Sequence, residues 1–304
     1  MTQSAATIEE FEGHRARLIG LGYRMLGTRA EAEDLVQETY LRWHRTPRDQ
    51  IRQVGPWLHT TMARLCVDAL RSRKVRLEQY IGPWLPEPWL TPAPVANEAE
   101  QRLELADDLS VAFLLLLERL APEERAAFLL HDVFEAGYPE IAATLEKSEA
   151  AVRQIVSRAR GRIADERPRF HASRRDQEAM AERFRQAVTS RDETALLALF
   201  RPDATLVSDG GGKAMAALRP IYGADKIVRF FMGITRHTDP ASLALEPCWI
   251  NNAAGMVIRH ADGSVMATFA MVVANGRIAN VYAVRNPDKL SRLGQSPGSG
   301  RVRP

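Results

Sequence analysis

The stretch YPEIAATLEKSEAAVRQIVSRAR, residues 138–160, decides how the middle of this chain folds. Proline at 139 suits a helix's first turn, where its missing amide costs nothing. Ile141, Ala142 and Leu145 repeat on one helical face, and Val152, Ile155, Val156 and Ala159 repeat on another. Between them, the Ser148 oxygen can accept from the free amides of the turn that follows it. The pattern predicts two closely linked helices sharing one apolar core, the second running to about Asp165. Ser148, Glu149, Ala150, Arg153, Gln154, Ser157 and Arg158 are then left outside, available to a major groove. Upstream, Pro122 with Glu123 and Glu124 opens another helix, and Glu135-Ala136-Gly137 turns the chain into the pair. The outline is a helix-turn-helix, which alone admits any DNA-binding regulator.

Charge supports a polyanionic partner. The 304 residues carry a net charge of +3, but the excess is local. Between Ser148 and Arg162, four arginines (153, 158, 160, 162) face one acid, Glu149, a local +3. Between Arg64 and Arg76, five bases (Arg64, Arg71, Arg73, Lys74, Arg76) face one acid, Asp68, a local +4. Two basic helices in a nearly neutral chain suggest two contacts with one nucleic acid. No apolar run reaches the ~18 residues of a membrane span. The longest, Val111 to Leu117, is broken by Glu118 and Arg119 and reads as a buried helix face. The polar, acidic start has no secretory pattern. The two cysteines, Cys66 and Cys248, have no CxxC spacing, which argues against a disulfide framework or a cysteine zinc site and fits a reducing cytoplasm.

The length suits two or three domains. Residues 8–78 read as helical. The segment 79–108 holds Pro83, Pro86, Pro88, Pro92 and Pro94, which forbid a continuous helix. Tyr80, Trp84 and Trp89 in it imply that this tether docks on something. Residues 109–167 carry the helix-turn-helix. From 174 to 293, one amphipathic helix (Ala179, Phe184, Val188, Leu196, Leu199) ends near Phe200. Strands follow at about 204–207, 249–251, 255–259, 265–273 and 277–284, with a short helix at 223–233. That order indicates an α+β domain. Residues 294–304 read as a flexible tail.

Two further runs give the first domain a function. In AEAEDLVQETYLRW, residues 30–43, Leu35, Tyr40 and Trp43 can point inward while Glu33, Asp34, Gln37 and Glu38 form an acidic surface. This run resembles conserved region two of the extracytoplasmic-function sigma factors, whose corresponding helix docks on the clamp coiled coil of the polymerase largest subunit. The resemblance implies core-polymerase contacts by Asp34, Leu35, Gln37 and Glu38. The second run, Gly55 to Arg73, supplies a core stripe of Trp57, Leu58, Ala63, Val67 and Leu70 with arginines opposite. It is similar to the helix with which these factors grip the melted minus-ten element. That likeness implies contacts by Trp57, Arg64, Arg71, Arg73 and Lys74, with a base pocket in the preceding loop, about 46–54. Cys66 there reads as a small buried hydrophobe. The helix-turn-helix is similar to region four, implying minus-35 contacts by Ser148, Glu149, Arg153, Gln154, Ser157 and Arg158.

A last set of motifs narrows the resemblance. Trp84-Leu85-Pro86-Glu87-Pro88, Asp209-Gly210-Gly211-Gly212-Lys213 and Asn286-Pro287-Asp288-Lys289-Leu290 occur together. They look like those of sigma factors with a SnoaL-like C-terminal extension, an α+β cone that regulates in cis. The implied fold is multidomain: two all-α modules, the region 2 bundle and the region 4 helix-turn-helix, followed by that cone. Trp84, Pro86, Glu87, Asp209, Gly211, Lys213, Asn286, Asp288 and Lys289 become candidate interdomain regulatory residues. Three glycines between opposite charges allow close backbone approach, and a proline-stiffened segment loses little entropy on docking. The expectation is that tether and glycine loop meet, with Trp84 and Lys213 as the pair to test, and so fix the relative orientation of the DNA-reading domains.

The cone's relatives include enzymes, making Asp209, His237, Asp239, His260 and Tyr282 the candidates for chemistry, yet no motif among them specifies catalysis. The reading is therefore a non-enzymatic initiation factor with no catalytic residue, metal or cofactor. Its partners are the polymerase core (clamp coiled coil and flap), promoter DNA and a possible small apolar ligand in the cone. A ligand-sensing helix-turn-helix regulator, or an isomerase- or cyclase-like enzyme fused to a DNA-binding module, remain the alternatives.

Overall fold

A computed structural model describes residues 2–92, 109–166, 172–236 and 242–294. The chain divides into two compact units, one of residues 1–79 with 99–167 and one of residues 80–98 with 168–304.

The first unit is all helical. Helices α1 (Thr2–Leu26), α2 (Arg29–Arg45) and α3 (Val54–Glu78) form a bundle, with a 3-10 turn at Arg48–Gln50 between the last two. Gly27 ends α1 with φ 68°, donating its amide to the Tyr23 carbonyl at 2.7 Å. At Gly22 a Cβ would lie 2.9 Å from that of Ala32, so this glycine sets how closely α1 and α2 approach. Phe11, Trp43, Leu58 and Met62 fill the bundle's interior. Pro56 is accommodated because it falls within the first turn of α3.

Helices α4 (Val111–Glu118), α5 (Pro122–Asp132), α6 (Tyr138–Leu145) and α7 (Glu149–Glu166) complete this unit. The Val111–Leu117 run is α4, with Val111, Phe113, Leu114 and Leu117 buried. Pro122 opens α5, where the Glu124 carboxylate accepts the Ala121 amide at 3.2 Å. Ser148 caps α7 as expected, its Oγ accepting from the Ala151 amide at 3.2 Å.

The second unit is α+β. Helices α8 (Arg174–Thr189) and α9 (Glu193–Leu199) lead into β1 (Phe200–Asp209). There follow β2 (Ile221–Tyr222), α10 (Ala224–Arg236), β3 (Leu243–Ile250), β4 (Ala253–His260), β5 (Val265–Ala274), β6 (Arg277–Val284) and α11 (Pro287–Leu290). The sheet order is β2-β1-β6-β5-β4-β3, with β1 and β6 parallel and every other pair antiparallel. Phe184, Phe200, Phe231, Met256, Phe269 and Met271 pack together at its core. Asn251-Asn252 and Asn275-Gly276, all at positive φ, make the tight turns of the β3–β4 and β5–β6 hairpins.

One expectation needs correction. The single helix ending near Phe200 is two, because Arg191 takes φ 55° and Asp192 restarts the helix by accepting the Ala195 amide at 2.8 Å. The first part of the tether, residues 80–92, packs as part of the second unit, as its aromatic side chains led us to expect of a docking segment.

Candidate nucleic-acid interface and tether site

On α2, residues 32, 36, 39 and 43 point inward. That leaves Asp34 and Gln37 exposed, with Leu35 and Glu38 half-buried beside them. Glu38 pairs with Arg42 one turn on, at 2.9 Å. The result is a solvent-facing acidic strip with one apolar side chain in it.

On α7, Val152, Ile155, Val156 and Ala159 are buried, and Ser148, Glu149, Arg153, Gln154, Ser157 and Arg158 are all exposed. The helical period therefore gathers six polar groups on one face. The Arg153 guanidinium sits 4.8 Å from the Tyr138 ring centroid and 3.4 Å from the Glu149 carboxylate, partners that orient it from α6 and from one turn back.

The minus-ten candidates on α3 are placed less simply. Trp57 is half-buried, and the Lys74 side chain lies outside the described residues. Arg73 is only 5% exposed, donating to the Leu26 carbonyl at the end of α1. Its expected contact with DNA is corrected on that ground: it is an internal cap on the α1 C-terminus, where a cation is favoured. Arg125 does the same at the Met25 carbonyl from α5, at 2.5 Å, and pairs with Glu118 at 2.9 Å.

Arg64 and Arg71 face solvent on one side and the helix-turn-helix on the other. Arg64 donates from Nε to the Thr144 carbonyl at 2.9 Å and from its terminal nitrogen to the Ala143 carbonyl at 2.6 Å. The Thr60 and Thr144 hydroxyls are 3.1 Å apart. Arg71 pairs with Glu123 at 2.6 Å, and Glu123 also binds Lys147 at 2.8 Å. Lys147 first, and Arg71 after it, hold the Glu123 carboxyl below the usual carboxylate range. Nearby, the His59 ring lies 5.7 Å from that of Phe134, and burial together with Arg17 and His14 lowers its pKa to about 4. Cys66 is buried, which pushes its thiol up.

In the second unit, the tether is held at two points. At the first, Asp209 is completely buried and both its oxygens are engaged. The Tyr80 hydroxyl donates to Oδ1 at 2.6 Å, while the Leu85 amide at 2.9 Å and the Lys289 ammonium at 2.7 Å reach Oδ2. Lys289 also donates to the Leu85 carbonyl and lies 4.4 Å from the Trp84 ring and 5.2 Å from the Tyr80 ring. Asn286 donates to the Tyr80 oxygen at 2.8 Å. Burial and the Asp209 hydrogen bond raise the Tyr80 pKa, so the phenol stays a donor. Pro86 and Glu87 are buried along the same segment.

Gly211, at φ 59°, is required here, because a Cβ would fall 2.2 Å from Asn286 Nδ2 and 3.0 Å from the Tyr80 oxygen. The cation beside Trp84 is Lys289, whereas Lys213 pairs at the surface with Asp288 at 2.5 Å. This corrects the expected Trp84–Lys213 pairing, although tether and glycine loop do meet.

The second point lies at the sheet's edge. Leu90 pairs antiparallel with Ile250 at the end of β3. Thr91 donates its amide to the Trp249 carbonyl at 3.0 Å, and the Asn251 amide donates to the Trp89 carbonyl at 2.8 Å. The side-chain oxygen of Asn251 accepts the Trp89 amide at 3.1 Å. Sequence reading missed Asn251, and Asn252, whose amide donates to the Thr91 hydroxyl oxygen at 3.1 Å, as tether contacts, though their Asn-Asn turn chemistry was a visible hairpin signal.

The described candidates for chemistry occupy different settings. Asp209 is committed to the tether, His260 is exposed at the end of β4, and Tyr282 is half-buried on β6. His237 and Asp239 lie outside the described residues. Among the described residues no three His, Cys, Asp or Glu side chains could jointly hold a metal. No described helix is long and apolar enough to cross a membrane.

Comparison with known proteins agrees with this layout. Residues 11–76 match the family model for sigma-70 region 2, and residues 110–163 match that for sigma-70 region 4. The chain is 36% identical to the ECF RNA polymerase sigma factor SigJ of Mycobacterium tuberculosis, over 97% of this chain and 98% of that one. It is 27% identical to the probable ECF RNA polymerase sigma factor SigI of the same species, over 99% and 100%. The crystal structure of SigJ superposes with a TM-score of 0.72 at 34% identity, covering 95% of this chain and 99% of that one.

Proposed function

Because this chain belongs to the extracytoplasmic-function RNA polymerase sigma factors, we propose that its three candidate surfaces divide the work of promoter selection. Sigma factors bind polymerase core and promoter DNA, and this chain is an alternative sigma factor built of the two all-α modules and a SnoaL-like α+β extension. In our reading the acidic strip of α2 (Asp34, Leu35, Gln37, Glu38) docks on the clamp coiled coil of the largest subunit. Opposite charge there speeds association more than it deepens affinity. The α7 face from Ser148 to Arg158 reads the minus-35 element in the major groove, and α3 with its preceding loop meets the melted minus-ten strand.

The extension acts in cis. A buried carboxylate, Asp209, that spends both oxygens on Tyr80, Leu85 and Lys289 is the observation that carries this reading. Such a site fixes where the tether between the two sigma modules begins, and so restricts the orientations they can adopt.

Reconstituted transcription with purified core polymerase tests the whole reading. The chain should permit initiation from a promoter silent to core alone, and deletion of residues after about 170 should change its strength. No initiation by the intact chain would end the proposal, and unchanged initiation by the truncated one would remove the regulatory half.

A further inference from the structure

β3 ends the sheet on one side, and no described strand lies beyond it. The tether pairs only with its last residues. The Thr91 amide donates to the Trp249 carbonyl and the Asn251 amide to the Trp89 carbonyl, bracketing the Leu90–Ile250 bridge. Those two bonds set a register. Continued antiparallel, it places Ala93 opposite Pro247, Val95 opposite Leu245 and Asn97 opposite Leu243, where β3 begins. Positions in an antiparallel pair alternate between those that exchange main-chain bonds and those that do not. Since 89 and 91 belong to the first kind, so do 93, 95 and 97, while 92, 94 and 96 turn their amides away. Pro92 and Pro94 both fall where no donor is needed. Pro247 is the complementary case: its missing amide lies on the free side of β3 and breaks no bond to β4.

Side chains follow the same alternation. Leu243 and Leu245 pack half-buried against the core of the second unit, while Ala244 and Glu246 on the other face are exposed. Opposite residues share a face. Val95, the one large apolar residue between 93 and 97, therefore falls beside Leu245, and Pro94 and Ala96 fall beside the exposed pair. The second compact unit takes in the chain as far as residue 98, one past the end of this register.

We infer that the free edge of β3 is the docking site for residues 93–97 of the same chain, which add a seventh strand to the sheet. The occupant is the continuation of a segment already pinned at Thr91, so its local concentration at the edge is high. Docking takes five residues out of the chain that leads to α4. At roughly 3.4 Å per residue, that removes about 17 Å of reach. How far the strand pairs thus sets how much chain is left between the second unit and the helix-turn-helix module. The docking needs neither polymerase nor promoter.

Disulfide mapping on the full-length chain tests the register. Positions 96 and 244 form a pair without main-chain bonds, whose Cα atoms lie about 4.5 Å apart, within reach of a bridge. Ala96→Cys/Ala244→Cys should oxidise to an internal disulfide. Val95→Cys/Ala244→Cys, whose side chains leave opposite faces, should not. The native thiols do not compete: Cys66 is buried and burial pushes Cys248 up to about 12. Bridging of both pairs, or of neither, overturns the docking. Disulfide-linked dimers in place of the internal bridge overturn it too, and give the edge to a second copy. Two prolines supply a second measurement, read by hydrogen exchange. Val95→Pro removes an amide that donates to Leu245, and should speed exchange at the Leu243 and Leu245 amides about tenfold. Ala96→Pro removes an amide that points away, and should leave both within about twofold of the unmodified chain. Equal effects from the two prolines, or none from either, count against the proposal.

Discussion

The Tyr80 hydroxyl donates to the Asp209 carboxylate at 2.6 Å across 129 positions of sequence. The same carboxylate holds Lys289, whose side chain is 9% exposed against 0% for Asp209. Asp209→Asn would keep the shape and strand a buried ammonium. Breaking one side of a buried pair costs about 3–5 kcal/mol. Urea unfolding should show a loss of that order, and limited proteolysis should cut first between Tyr80 and Thr91. Wild-type stability in Asp209→Asn would mean the cluster does not hold the tether.

Gly211 and Gly263 offer a matched comparison. Both have positive φ, 59° and 84°, but a Cβ at 263 meets nothing within 4 Å, whereas one at 211 collides with Asn286. Gly263→Ala should cost only the backbone strain, about 1 kcal/mol. Gly211→Ala should cost at least twice that and loosen Tyr80 as well. Equal melting temperatures for the two variants would contradict the steric account.

Acid should weaken the helical unit through His59. Its folded pKa is lowered from 6.5 to about 4 by burial, with Arg17 and His14 adding to the effect. The unfolded chain therefore takes up a proton near pH 6.5 that the folded chain refuses until about pH 4. Stability is intact above that window and falls as pH drops through it, by at most about 3 kcal/mol. In denaturant titrations between pH 7.5 and 4.5, His59→Gln should flatten this part of the profile. An unchanged slope would assign the acid sensitivity to other groups.

The α7 face should separate positioning from reading. Arg158→Ala is expected to weaken holoenzyme binding evenly across promoter sequences and to reduce the salt slope by about one. Gln154→Ala should relax preference at one base position, a discrimination of about 1–3 kcal/mol. Binding to a promoter library at two salt concentrations checks both. If neither variant changes the profile, this face does not carry minus-35 recognition.

Asp34→Lys should slow association with core polymerase, more at low salt than at high, because a charge at the edge of an interface acts mainly on encounter. Stopped-flow binding at two ionic strengths measures it. Indifference to the charge reversal would remove α2 from the docking surface.

Much of this architecture was written locally. The α6–α7 pair was legible because a 3.6-residue period, a capping serine and a first-turn proline agree over one short stretch. The α8–α9 break was signalled less clearly, since Leu196 and Leu199 continue the apolar stripe while Asp192-Glu193 restarts the helix. Arg73 escaped because helical spacing says which side a residue faces, and not whether a carbonyl waits there. Lys289 rather than Lys213 lies beside Trp84 for a similar reason. Lys289 projects from the turn of helix after β6, and only the parallel pairing of β1 with β6 brings that turn to Asp209. Such neighbours follow from strand order, which no motif spacing records.

The bridge between Leu90 and Ile250 has one more implication. β3 is the last strand on its side of the sheet, and an unprotected border of that kind invites pairing with foreign chains. Here the polypeptide shields part of its own border with a stretch that also links its DNA-reading halves. Whatever pulls that stretch away uncovers adhesive backbone at the same moment, so loss of control and clumping should arrive together.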